Sequence, residues 1–173
     1  MLYSIGHSTR SHDELVEALR AWRVTTLVDI RTIARSRHNP QFDRAQLARR
    51  LPRAGIAYVA LPGLGGRRPR SKTADPERNA GWRVAAFHNY ADYAETPEFA
   101  AALDELLALA AEATCAMMCA EAVWWRCHRR IVADYALLRR VRVSHIFTPT
   151  KIERATRTPF ARPDRKTRTL RYP

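Results

Sequence analysis

At 173 residues the chain is long enough for one ordinary core and too short for two complete domains. A hydrophobic content of 46% with 27% charged residues excludes a disordered or fibrous protein. Charge is the outlier, since 30 Lys and Arg against 17 Asp and Glu give a formal net charge of +13, and every basic residue except Lys72, Lys151 and Lys166 is an arginine. That balance points to an anionic partner such as a nucleotide or nucleic acid, although a genome of high GC content enriches arginine and alanine in the same way. The three cysteines, Cys115, Cys119 and Cys127, match no secreted disulfide framework. No apolar run approaches the ~18 residues of a membrane span and no targeting stretch opens the chain, so a cytoplasmic protein with no membrane partner is expected.

The elements follow in order. Leu2 to Ile5 is a short apolar run ending at Gly6 and reads as a first strand. Ser11 with Glu14 three residues on makes a capping box, and Leu15, Leu19 and Trp22 then share one helical face. Thr25 to Ile30 is β-branched and apolar, a second strand buried on both faces, which completes a parallel βαβ unit. Arg31 to Phe42 is polar and irregular; Asp43 and Gln46 then repeat the capping-box spacing ahead of Leu47 and Leu51. Ile56 to Leu61 reads as the third strand, followed by Pro62-Gly63-Leu64-Gly65-Gly66 and a long basic excursion to Asn79.

Thr96-Pro97-Glu98 supplies an N-cap and a proline at the first helical position, with Phe99, Leu103, Leu106 and Ala110 on the apolar face. Thr114 to Met118 is the fourth strand, a helix runs to about Arg140, and Val143 to Phe147 is the fifth strand. Residues 148–173 form a tail rich in Arg and Pro, with one β-like piece at Thr169 to Tyr172. The alternation predicts a single α/β domain over residues 1–173, a doubly wound, Rossmann-like and mostly parallel sheet with helices on both faces. Val28, Ile30, Val59, Met117 and Val143 are expected to be its buried strand residues.

In such a sheet the ligand crevice lies beyond the carboxyl ends of the strands, and the unusual polar residues fall there. His7 and Ser8 follow the first strand, Asp29 and Arg31 end the second, Gly65 and Gly66 follow the third, and Cys119 and Glu121 follow the fourth. The segment from Cys119 to Arg130 is densest in chemistry. Cys119 and Cys127 lie near a helix N-terminus and arginines, which favour a thiolate, whereas Cys115 lies inside a strand where burial opposes one. Trp124 and Trp125 either pack over the sheet or offer a face to a base. A zinc site from Cys119, Cys127 and His128 lacks a Cys-x2-4-Cys pair and relies on adjacent Cys and His, so neither metal nor cofactor is expected.

Gly6-His7-Ser8-Thr9, Asp29-Ile30-Arg31, Asn39-Pro40-Gln41-Phe42, Leu64-Gly65-Gly66, Tyr90-Ala91-Asp92-Tyr93, Met118-Cys119-Ala120-Glu121 and Cys127-His128-Arg129 together resemble the bacterial family known as domain of unknown function 488. The likeness extends over nearly the whole chain and implies that Cys119, Glu121, Cys127, His128 and Arg129 act as one motif. Leu27-Val28-Asp29-Ile30-Arg31 is also similar to the second-strand signature of rhodanese-like domains. Here, however, Cys119 to Arg126 is Cys-x6-Arg, and Glu121 would place a carboxylate inside the anion loop, which argues against sulfur-transfer or phosphatase chemistry.

The reading that follows is an enzyme acting on an anionic nucleotide or nucleic acid. Arg31, Arg126 and Arg129, with Ser8, Gly65 and Gly66, would bind the anion; Cys119 or Cys127 would be the nucleophile or redox thiol; Glu121 or His128 would move protons, with His7 and Asp29 completing the site. A non-catalytic nucleic-acid-binding module and a thiol redox or transfer protein of rhodanese-like layout are the alternatives. The sequence leaves substrate, reaction and oligomeric state open.

Overall fold

The computed structural model describes residues 1–164 and 166–173, so Arg165, one of the tail arginines, lies outside the described residues. Strands β1 (Leu2–Gly6), β2 (Thr26–Asp29), β3 (Ala57–Ala60), β4 (Cys115–Cys119), β5 (Val143–Thr148) and β6 (Lys151–Arg154) form one sheet in the order β3-β2-β4-β1-β5-β6. The five expected strands are parallel to one another. The sixth turns back antiparallel on β5, which makes the sheet mixed. Its Lys151, Ile152, Glu153 and Arg154 are all exposed, so no apolar pattern betrayed it within what reads as irregular tail.

Period-two alternation puts an apolar layer on each face of the sheet. Leu2, Val28, Met117 and Val143 face helices α4 (Pro97–Glu112) and α5 (Arg129–Leu138). Ile5, Leu27, Met118 and Ile146 face helices α1 (His12–Ala21) and α2 (Arg44–Arg50). The reciprocal box at the start of α1 forms as expected, with Ser11 Oγ accepting from the Glu14 N–H and Glu14 accepting from the Ser11 N–H at 2.6 Å.

Three expectations need correction. Asp43 does not cap α2 with its side chain, because its carboxylate accepts instead from the Ser36 N–H at 2.8 Å and ties down the preceding loop. Val59 is half-buried where full burial was expected, because β3 is an edge strand with a single neighbour. Helix α3 (Ala85–Tyr93) was absent from the sequence reading, since it begins without a side-chain cap and spends its aromatic residues on loop contacts. There Tyr90 donates to the Leu64 carbonyl and Tyr93 to the Gly63 carbonyl, both at 2.6 Å.

The tail and the basic excursion hold each other. Strands β7 (Arg162–Asp164) and β8 (Thr169–Arg171) pair antiparallel, and Tyr172 beyond them is fully buried. Trp82 packs its ring against Phe87, Phe160 and Tyr172. Asn79, also fully buried, accepts from the Tyr172 N–H at 3.0 Å and donates to Asp92 and Glu95. Asn79→Ala strands these partners and should lower stability by about 1–3 kcal/mol in urea denaturation. An unchanged midpoint would mean that this junction carries no share of folding stability.

Candidate active site at the strand ends

Parallel strands deliver their last residues to one edge, and register makes this arrangement tight. Gly6 pairs with Cys119, the His7 N–H donates to the Cys119 carbonyl at 2.9 Å, and the Ile30 N–H donates to the Met118 carbonyl at 3.0 Å. The turn after β1 holds Ser8 at a φ of 50°, in the left-handed region. Gly6 is required where it stands, because a Cβ there would collide with the Glu121 carbonyl and crowd the Arg129 guanidinium. The loop from β4 to α5 therefore lies directly on the end of β1.

Arg129 is the unusual residue of this loop. It is 1% exposed, and among the described residues no carboxylate meets it. Its guanidinium donates to the Glu121 carbonyl at 2.6 Å, to Ser4 Oγ at 3.4 Å and, through Nε, to Cys127 Sγ at 3.4 Å. Its backbone N–H also points at Cys127 Sγ, at 3.5 Å. A buried guanidinium favours the charged form of an acidic neighbour, and Cys127 is the acidic group its N–H groups meet.

Cys119, at the end of β4, brings its Sγ to 2.7 Å from that of Cys127, and His128 Nδ1 lies 3.5 Å from Cys127 Sγ. Burial raises both thiols, but their surroundings separate them. For Cys127 burial is outweighed by the Cys119 hydrogen bond, by His128 and by Arg129, so its pKa falls well below the ordinary thiol range. Cys119 is pushed well above that range by burial and by its bond to the neighbouring sulfur. The two thiols are therefore shifted in opposite directions, where the sequence had offered both as equally activated. Cys115 is raised by burial as expected.

A second cluster stands behind the first. Arg31 closes on Asp29 with Nε at 2.8 Å and NH2 at 2.7 Å, and gives further N–H groups to the Phe42 carbonyl and to His7 Nε2. Tyr58 donates to the same carboxylate at 2.8 Å. His7 stacks on Phe42 with ring centroids 4.2 Å apart. Because its Nδ1 meets the Ser8 carbonyl and its Nε2 accepts from Arg31, the ring is the neutral Nδ1–H tautomer. Burial, with Arg31 beside it, pushes its pKa down to about 4.

Between the clusters opens a cavity of about 360 Å³. Cys119, Cys127 and His128 form its floor, Arg31, Arg35, Arg67 and Arg126 lie around it, and Glu121 is the carboxylate among its lining residues. Ile33, Val84 and Phe87 complete an apolar side, of which Ile33 and Val84 are strongly exposed. Gly66 lines the cavity, where a Cβ would strike the His128 ring; Gly65 lies outside the lining, and a Cβ there would strike Thr32. Both glycines thus serve close approach of loops. Arg126 and Glu121 are exposed at this cavity, whereas Ser8 opens on a separate surface groove with Arg10 and Glu14. His7 and Asp29 are outside the cavity lining and act on it through Arg31.

The sequence reading missed His145 and Ser4. On adjacent strands, Ser4 Oγ meets His145 Nδ1 at 2.7 Å and links that ring to Arg129. Trp124 stacks on His145 with centroids 4.6 Å apart and planes 8° apart, so this tryptophan packs while Trp125 is 45% exposed. Nothing in the pattern Val143-Ser144-His145-Ile146 marks the histidine as more than a strand residue. The donor atoms of Cys119, Cys127 and His128 all lie within 4.8 Å of one another, close enough for a metal ion among the described residues. Arg129 already provides a positive charge at Cys127, and thiol, thiolate and guanidinium together make a neutral set.

Burial pushes His145 down to about 3, helped by the nearby Arg129. Both His7 and His145 are thus neutral when folded but take up a proton near pH 6.5 when unfolded. The unfolded chain binds more protons between about pH 6.5 and 4, so stability is present above this window and falls as pH drops through it. The expected loss is on the order of 2 kcal/mol per ring. Urea denaturation at pH 7 and pH 5 should show it, and His145→Gln should flatten the slope. Gly6→Ala should cost about 1–3 kcal/mol by overpacking and slow Cys127 alkylation at neutral pH by moving the Glu121 carbonyl that holds Arg129.

No curated protein and no solved structure matches the chain. A family described as domain of unknown function DUF488 matches residues 11–136, which takes in Asp29 and Arg31, both glycines, the thiol pair and Arg129. The chain belongs to the DUF488 family.

Proposed function

We propose that the protein is a cysteine-dependent enzyme that binds an anionic small molecule in the arginine-lined cavity and attacks it with Cys127. The observation that carries the reading is Cys127, a cavity-lining residue whose sulfur meets two N–H groups of the buried Arg129. A thiolate held at neutral pH is the form that acts as a nucleophile. Arg35, Arg67 and Arg126 attract the anion. Arg31 has four of its five N–H groups committed to Asp29, Phe42 and His7, so it presents one fixed donor in place of a mobile charge. Ile33, Val84 and Phe87 accept an apolar or planar portion, which suits a nucleotide whose phosphate meets the arginines. His128, in contact with Cys127 and lining the cavity, is placed to give a proton to the departing group.

Glu121 tunes this site. A carboxylate among four arginines offsets part of their charge and favours a substrate of limited negative charge over a polyanion. A non-catalytic nucleic-acid surface is the weaker reading, because many of the arginines it would use are engaged within the chain. Arg68 lies over the Tyr93 ring and donates to Pro62, Gly63 and Gly65 carbonyls, Arg78 pairs with Glu95, and Arg171 pairs with Asp164.

Alkylation by iodoacetamide, a neutral reagent, tests the proposal. At pH 7 Cys127 should react about tenfold or more faster than Cys115, and Cys127→Ser should remove that fast phase. Inorganic phosphate and a nucleoside monophosphate should each slow it at saturating concentration. Slow and equal labelling of all three cysteines, with no protection by either anion, would overturn the enzyme reading and leave the thiols as core packing.

A further inference from the structure

The sulfur that Cys127 touches belongs to another cysteine, and that contact assigns a second chemical step. Cys119 and Cys127 are eight residues apart, on β4 and at the entrance of α5, yet their Sγ atoms lie 2.7 Å from each other and both line the cavity. Cys115 is on the same face of β4 and has no such partner. The Arg129 backbone N–H and Nε both point at Cys127 Sγ, at 3.5 and 3.4 Å, while Cys119 feels the same guanidinium from further along the pair, which marks Cys127 as the attacking sulfur. We propose that Cys119 is a resolving thiol and that the site reduces small disulfides carrying negative charge, with Cys127 as the attacking sulfur. This rests on the reading of Cys127 as a nucleophile and names its substrate class.

The electrons balance within the pair. The Cys127 thiolate attacks one sulfur of R–S–S–R′; the S–S bond breaks, R′–S⁻ leaves with the bonding pair, and Cys127–S–S–R forms. Cys119 gives its proton to the departing thiolate, and its sulfur attacks Cys127 Sγ. The bond from Cys127 to R–S breaks, R–S⁻ leaves, and a Cys119–Cys127 disulfide remains. One substrate disulfide has become two thiols and the protein dithiol has been oxidised by two electrons. A small-molecule dithiol returns the pair to its starting state by the reverse exchange. Carboxylates on R and R′ meet the arginines of the cavity. Arg129 stays beside the Cys127 sulfur throughout and favours its return as the thiolate.

Oxidised glutathione, whose arms carry carboxylates, is the probe, and cystamine, whose arms carry ammonium groups, is the charge control. The reduced full-length protein, treated with a metal chelator, is exposed to each at equal concentration and read by intact and peptide mass spectrometry. Oxidised glutathione should convert the wild type to a protein two hydrogens lighter with a Cys119–Cys127 disulfide and little glutathione adduct. Cys119→Ser should accumulate the mixed disulfide on Cys127 at about tenfold or more the wild-type level. Cystamine should react more slowly than oxidised glutathione. A stable glutathione adduct on wild-type Cys127, with no internal disulfide, would overturn the resolving role even where the alkylation test succeeds. Faster reaction with cystamine would overturn the anionic substrate class. Stoichiometric zinc on the untreated protein that shields both thiols from iodoacetamide would replace the redox pair with a metal site. Failure of Cys127 to react with iodoacetamide as well would remove the nucleophile reading itself.

Discussion

A buried guanidinium without a carboxylate is the constraint around which the strand ends are organised. Arg129 is enclosed at the start of α5, and its charge is answered by carbonyls, by Ser4 and by the Cys127 sulfur. Breaking one partner of such a set leaves an uncompensated charge, whose cost is several kcal/mol in a protein interior. The Cys127 sulfur is therefore held against the guanidinium by a structural demand of the fold. Gly6 belongs to the same constraint, since only a residue without Cβ lets the Glu121 carbonyl reach the guanidinium across the end of β1.

Two buried histidines, His7 and His145, are held neutral by related means. His7 receives an N–H from Arg31 and His145 is approached by Arg129 through Ser4, so each ring meets a cation that disfavours a second one. Neither is placed to act as an acid at neutral pH. His128 and Glu121, in contrast, line the cavity directly. Charge at the site is thus graded, with committed cations behind and exposed arginines in front.

The basic excess divides along the same line. Arg10, Arg31, Arg68, Arg78 and Arg129 are fastened to carbonyls, carboxylates, sulfur or an aromatic ring. Arginine here does much of the joining that backbone pairing cannot do between loops, because one planar group can satisfy several carbonyls at once. Arg35, Arg67 and Arg126 are the exposed arginines that line the cavity.

The sequence by itself determined the alternation of strands and helices, because burial on both faces forces continuous apolar runs and the Ser11 to Glu14 spacing closes its own box. It also determined that His7, Asp29, Cys119 and Cys127 fall near strand ends, since parallel strands share one edge. It could not show β6, whose exposed residues follow no apolar period, or α3, whose aromatic side chains serve loops. Nor could it separate Cys119 from Cys127, because both lie near arginines along the chain. Only the tertiary structure decided which sulfur meets Arg129, that Arg31 is spent on Asp29 and His7, and that Ser4 and His145 join the cluster. Polar groups separated by more than a hundred residues, such as Ser4 and Arg129, acquire their interaction energies from distance and burial, and those exist only once the sheet has formed.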